Sequence, residues 1–232
     1  MRVRFDVKRY DPEKDEAPYF QTYEVELEES DRVLDGLNQI RWRRDGTLAF
    51  RRSCEHGICG SDAMRINGRN RLACRTLVRD VGKRVRVEPL LGLPVVRDLV
   101  VDQRRFFQDY RSVLPFLVND EPAPPRERLQ TPGDRQRFDD TTRCILCAAC
   151  TTSCPSAWGD ESFIGPAAIV QAHRFIFDTR DHATAERLAR LNGRSGVWAC
   201  RTVYNCTVAC PREIQVTRAI AEVKRAALLG GR

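Results

Sequence analysis

The chain has 232 residues, 42 % hydrophobic and 31 % charged, which is enough apolar material for a packed core and excludes a disordered composition. Its 39 Lys and Arg against 32 Asp and Glu leave a net charge of +7, yet no block of five or more basic residues marks a nucleic-acid-binding tail. No run of about 18 apolar residues is present to span a membrane, and the ten cysteines stand in close groups rather than spread as a disulfide framework. The first seven residues alternate like a strand and lack the apolar centre of a secretion signal, so a reducing compartment is expected.

Val3, Phe5 and Val7 alternate with Arg4, Asp6 and Lys8, which predicts a half-buried strand. Asp11-Pro12 opens a polar turn, and Tyr23, Val25 and Leu27 form the expected hairpin partner. Ser30-Asp31 is the expected cap of a helix with Val33, Leu34, Leu37 and Ile40 on one face. Strand, strand, helix and then a cysteine-bearing loop is the order of a β-grasp sheet packed on one helix. In that loop Cys54 and Cys59 are followed by Asp62, and Cys74 lies further on. Plant-type ferredoxins hold [2Fe–2S] with C-x4-C-x2-C…C, so Asp62 occupies the third cysteine's place. A carboxylate oxygen binds ferric iron; the alternative is a three-cysteine site whose fourth ligand comes from elsewhere. Gly57 and Gly60 suit the turns that bring backbone N–H groups close to cluster sulfides.

Residues 72–78, 85–87 and 95–101 are expected to add short strands. Asp102 then reads as the N-cap of a helix carrying Phe106, Phe107, Tyr110 and Val113. Pro122-Ala-Pro124-Pro125 is a stiff linker. The predicted fold is α+β: residues 1–105 as a β-grasp, plant-type ferredoxin domain, and residues 106–232 as an all-α, bacterial-ferredoxin-like domain.

Cys144, Cys147, Cys150 and Cys154-Pro155 reproduce the C-x2-C-x2-C-x3-C-P run of bacterial ferredoxins, whose fourth cysteine ligates a second cluster. Cys200, Cys206 and Cys210-Pro211 repeat the frame with Val203 where the second cysteine belongs. Reciprocal crossing assigns Cys144, Cys147, Cys150 and Cys210 to [4Fe–4S]. It leaves Cys154, Cys200 and Cys206 for a cluster lacking one corner ligand, read as [3Fe–4S]. Helices are expected over 167–177, 183–191 and 216–229. His173 and His182 read as core or surface histidines rather than ligands. With no G-x-G-x-x-G, no P-loop and no nucleophile–base pair, the chain is expected to be an electron relay whose end reactions belong to partners.

Arg52-Ser-Cys54 through Asp62-Ala-Met64, Asn70-Arg-Leu-Ala-Cys74, Cys144 through Cys154-Pro-Ser156, Phe163-Ile-Gly-Pro166-Ala and Cys200 through Cys210-Pro211 together resemble the iron–sulfur subunit of succinate dehydrogenase (succinate:quinone oxidoreductase). The resemblance spans essentially the whole chain, and Asp in the third two-iron position is similar to a variant in some bacterial members. It implies a flavoprotein subunit whose FAD oxidises succinate. It also implies a relay through [2Fe–2S], [4Fe–4S] and [3Fe–4S], and a quinone beside membrane-anchor subunits that often bind haem b. The implied place is the cytoplasmic face of the bacterial inner membrane, as a peripheral part of respiratory complex II and the tricarboxylic acid cycle; nucleic acid is not an implied partner. A fumarate reductase would run the same relay backwards. Carried over by position, the quinone residues are Pro155, Ser156, Trp158 and Val203, with Arg201 where some members have a histidine. Gly159 stands where some members carry a second, quinone-bonding tryptophan.

Overall fold

The computed structural model describes residues 1–230; residues 231–232, the end of the expected helical domain, lie outside it. The chain divides into two compact units, Met1–Gln103 with Ile145–Ser153, and Arg104–Cys144 with Cys154–Arg232.

In the first unit, β1 (Arg2–Arg9), β2 (Tyr19–Glu26), β3 (Ala63–Ile66), β4 (Arg69–Leu72) and β5 (Arg84–Glu88) form one mixed sheet in the order β2-β1-β5-β3-β4. β1 pairs antiparallel with β2, setting Phe5 opposite Tyr23, and parallel with β5, setting Phe5 opposite Val85. Strand alternation sends Val3, Phe5, Val7, Val85 and Val87 into the core. Helix α1 (Val33–Arg43) covers that face, as the β-grasp pattern predicts. A Cβ on Gly36 would fall 2.3 Å from Phe5 Cζ, so only glycine lets α1 settle this close to the sheet. The helix starts one residue later than the expected Ser30-Asp31 cap. The Asp35 carboxylate accepts from Arg32 N–H at 2.8 Å, while the Asp31 carboxylate turns back to Glu28 N–H at 2.8 Å.

Two expected strands break. Residues 72–78 are the end of β4, a tight turn over Ala73–Arg75 and the start of α2 (Val78–Val81). β3 and β4 are joined through Asn67 and Gly68, both at positive φ (47° and 79°), the two-residue connection that matches strand twist. Residues 95–101 split into β6 (Val95–Arg97) and β7 (Val100–Val101), turning at Asp98 with φ 47°. The buried Asp98 carboxylate explains the break: it accepts from Arg9 Nε at 2.9 Å, Tyr10 N–H at 2.9 Å and Ala49 N–H at 2.8 Å.

The second unit is helical: α3 (Arg104–Ser112), α4 (Pro132–Thr142), α5 (Pro155–Gly159), α6 (Gly165–Ile176), α7 (Thr184–Leu191), α8 (Asn205–Val208) and α9 (Val216–Leu228). α6 is buried on nearly every side, with α3, α4, α7 and α9 packed around it. α4 lies ahead of the first cysteine run, where none of the expected helices falls. Its start is a Thr131 N-cap, whose hydroxyl accepts from Asp134 N–H at 3.1 Å, with Pro132 behind it. Arg187 on α7 is fully buried; it pairs with Asp181 and donates to the Leu114 and Phe116 carbonyls at 2.8 Å, fastening the loop after α3. His173 is a core histidine, 2.8 Å from Glu222 Oε2 and 3.3 Å from Thr141 Oγ1.

Candidate metal centres

The first ligand loop is shaped by its backbone. Glu55, Gly57 and Gly60 adopt φ of 60°, 83° and 68°, curling the chain so that the N–H groups of Ile58 and Cys59 point at Cys54 Sγ at 3.4 and 3.3 Å. Donors from His56, Cys59 and Ile58 pull the Cys54 thiol down to about 6, so it stands as thiolate, the form that ligates metal. Cys74 is the converse. Burial, then the adjacent Asp62 carboxylate, push its thiol up to about 12, and Cys54 is a further anionic neighbour. A thiol kept protonated by burial beside a carboxylate gives up its proton to a cation, so this pairing suits a metal centre.

Asp62 is only 2 % exposed. Its Oδ2 accepts from Cys74 N–H at 2.5 Å, whereas Oδ1 is buried without a hydrogen-bond partner. A buried carboxylate oxygen left unpaired is costly, so an iron at Oδ1 fits the structure where a protein donor is lacking. Asp62 and the three thiols therefore suit a two-iron cluster without a ligand from elsewhere.

The loop that carries Cys59 seats against the next cysteine run. A Cβ on Gly60 would fall 2.7 Å from Cys147 Cβ and 3.1 Å from the Ile145 carbonyl, so glycine permits backbone contact there. Cys147 lies in a coil with Leu146 and Ala148 at φ 54° and 62°. Asn70 holds that coil, its amide donating to the Ala149 carbonyl at 3.2 Å and Thr152 Oγ1 at 2.8 Å. Cys147 and Cys150 thus belong to the first unit. In the second, Cys144 follows α4, and Cys210 follows α8 close to Arg143, which Asp140 pairs.

Cys154, Cys200 and Cys206 gather within the second unit. Burial raises the Cys206 thiol, and the proximity of Cys154 and Cys200 raises it further, against a contact with Thr217 Oγ1 at 3.6 Å. Lys224 on α9 donates to the Cys200 carbonyl at 2.9 Å. Val203 is half exposed and brings no donor atom, between Thr202 and Tyr204 at φ 58° and 67°. None of the ten cysteines is in a disulfide. Among the described residues no three His, Cys, Asp or Glu side chains are drawn tightly enough for a single ion; a cluster spreads its ligands over several irons.

Beside this triad opens a cleft of about 460 Å³. Of the residues expected at a quinone, Pro155, Ser156, Arg201 and Val203 line it, and Trp158, half exposed, does not. Gly159, Arg194 and Trp198 line it as well. Arg194 and Trp198 escaped the sequence reading; the available signal was an exposed-type aromatic two residues before Cys200.

A β-grasp unit that carries the Cys54–Cys74 loop and the middle of one cysteine run, with a helical unit that carries the rest of that run and a second one, defines an iron–sulfur electron carrier. Residues 4–108 match the 2Fe-2S iron-sulfur cluster binding domain and residues 137–211 the 4Fe-4S dicluster domain. The succinate dehydrogenase iron-sulfur subunit of Coxiella burnetii is 41 % identical over 225 residues, covering 96 % of this chain and 95 % of that protein. The mitochondrial counterpart from Candida glabrata is 44 % identical over 226 residues, covering 95 % and 89 %. The Mycobacterium smegmatis Sdh1 complex in the apo form contains a chain that superposes with a TM-score of 0.90 at 27 % identity, over 99 % of this chain and 96 % of that one. The chain belongs to the family of succinate dehydrogenase iron–sulfur subunits and serves as an electron-transfer subunit of a larger complex. No helix among the described residues is long and apolar enough to cross a membrane.

Proposed function

We propose that this chain connects an FAD-bearing flavoprotein subunit, where succinate is oxidised, to a quinone held beside membrane-anchor subunits of the kind that often bind haem b. It would sit peripherally on the cytoplasmic face of a bacterial inner membrane. Cys54, Cys59, Asp62 and Cys74 would hold [2Fe–2S]; Cys144, Cys147, Cys150 and Cys210 [4Fe–4S]; and Cys154, Cys200 and Cys206 [3Fe–4S]. When bound, these clusters supply one-electron carriers between two-electron reactions at either end.

The observation that carries the proposal is the seat of Gly60 against Cys147, which sets the two-iron loop in backbone contact with the four-iron run. Cys54 is held as thiolate by its N–H donors, and Asp62 offers a hard oxygen from a dry position. Val203 supplies no donor, which favours a three-iron centre. At the far end, Pro155 and Arg201 follow Cys154 and Cys200 directly in the chain and line the cleft, so an acceptor there adjoins the last ligand set. Arg201 is permanently charged: it can donate to a quinone carbonyl but cannot deliver the proton that a histidine could.

Purification from detergent-solubilised membranes tests the assembly. A flavoprotein and anchor subunits should accompany the chain, with three iron–sulfur EPR signals. A complex with two centres, or a disulfide between any assigned cysteines, would refute it.

A further inference from the structure

We infer that Trp198 is the aromatic wall on which the quinone ring stacks, an inference that rests on the quinone reading of the cleft. The family position for a quinone-bonding tryptophan holds Gly159 here, and a Cβ built there would meet nothing within 4 Å. That side of the cleft is open. Trp198 reaches the same cleft from a different element, the turn Val197–Ala199.

Two contacts fix the indole. Gly196 precedes the turn, and a Cβ on it would fall 1.9 Å from the Leu191 carbonyl oxygen, so the chain is pressed against the end of α7. Trp198 Nε1 donates to Asn192 Oδ1 at 2.8 Å, and Asn192 is the C-cap residue of α7. The indole has one polar hydrogen, and Asn192 takes it. What Trp198 offers the cleft is ring surface; it remains 37 % exposed. Arg201 and Ser156 supply polar atoms to the same space. A planar quinone meets both needs, its face against the indole and a carbonyl toward the guanidinium, since aromatic rings gain from offset stacking beyond their buried area. Tryptophan thus serves by its face here, where a tryptophan at position 159 serves by a hydrogen bond.

The test uses the intact complex and a short-chain ubiquinone. Trp198→Leu keeps apolar bulk so that the turn folds, and Trp198→Phe restores a ring. Trp198→Leu should raise both KM and the calorimetric Kd for the quinone roughly three- to tenfold, with saturating turnover retained, and Trp198→Phe should recover most of the loss. Unchanged KM and Kd in Trp198→Leu, with the three-iron EPR signal intact, would overturn the inference. Val203→Trp, which crowds the cleft, separates the two levels. If it abolishes quinone binding while Trp198→Leu does nothing, the stacking role falls and the quinone reading stands. If quinone binds Val203→Trp normally, the cleft is not the quinone site and both fall.

Discussion

The two ends of the relay are built by opposite means. At the proposed two-iron end, Cys54 and Cys59 lie in one loop and Asp62 and Cys74 follow within a single hairpin's length, so donors are gathered by local turns at positive φ. At the proposed three-iron end, Cys154 stands far in sequence from Cys200 and Cys206, and the fold of the second unit brings the three together. The first site is therefore a property of a loop, and the second a property of a folded unit. Damage to packing in the second unit should erase its cluster while leaving the first, and damage to a single ligand should stay local.

The largest break is expected at Arg187. Its guanidinium is fully buried against Asp181 and three carbonyl groups of the loop after α3. Removing one partner of a buried pair leaves an uncompensated charge, at a cost of about 3–5 kcal/mol. Arg187→Met should lower the denaturant midpoint of the second unit and deplete the three-iron EPR signal, with the two-iron signal retained. Parallel loss of both signals would show that the units do not stand apart in this way.

Next is Asp62→Ala, confined to the other end. Removing the carboxylate takes away the orphaned Oδ1 and the acceptor for Cys74 N–H together. The two-iron spectrum should shift or vanish and the other two remain. A normal two-iron spectrum would mean that Asp62 is no ligand. Smaller again is Val203→Cys, which adds a thiol at the corner the second frame lacks. The oxidised three-iron signal should give way to that of a four-iron cluster. Persistence of the three-iron signal at full iron loading would remove Val203 as its cause.

The same contrast decides what could be read from the chain. The ligand frames, β1, β2 and the apolar face of α1 follow from local spacing and were legible. The Asn67-Gly68 connection and the Thr131-Pro132 helix start carried local signals too, and these went unread. Other features have no local signal. Strand 95–101 breaks because Asp98 answers Arg9, a partner 89 positions away. Residues 145–153 join the first unit because Asn70 and Gly60 receive them. Trp198 enters the cleft because Gly196 is pressed against the end of α7.

The smallest expected effect is a dependence on pH, and it too should fall on one unit. Burial holds His173 below its ordinary value of 6.5, against the pull of Glu222, while Arg137 opposes protonation and Asp140 favours it. Thr141 and Glu222 take up its two nitrogens from α4 and α9. Because the folded value is the lower one, the stability tied to neutral His173 is complete above pH 6.5. It declines as pH falls from 6.5 toward the folded value, since the unfolded chain takes the proton first. Burial would raise Glu222, but hydrogen bonds from His173 and Arg218 hold it below 4.5, so a second decline begins beneath that pH. One proton limits the slope to about 1.4 kcal/mol per pH unit. Denaturant titrations of the complex between pH 7.5 and 5, followed by the three-iron signal, should show the loss, and His173→Gln should flatten it. A two-iron signal that declines equally over this range would place the titrating group in the first unit instead, where no histidine is buried.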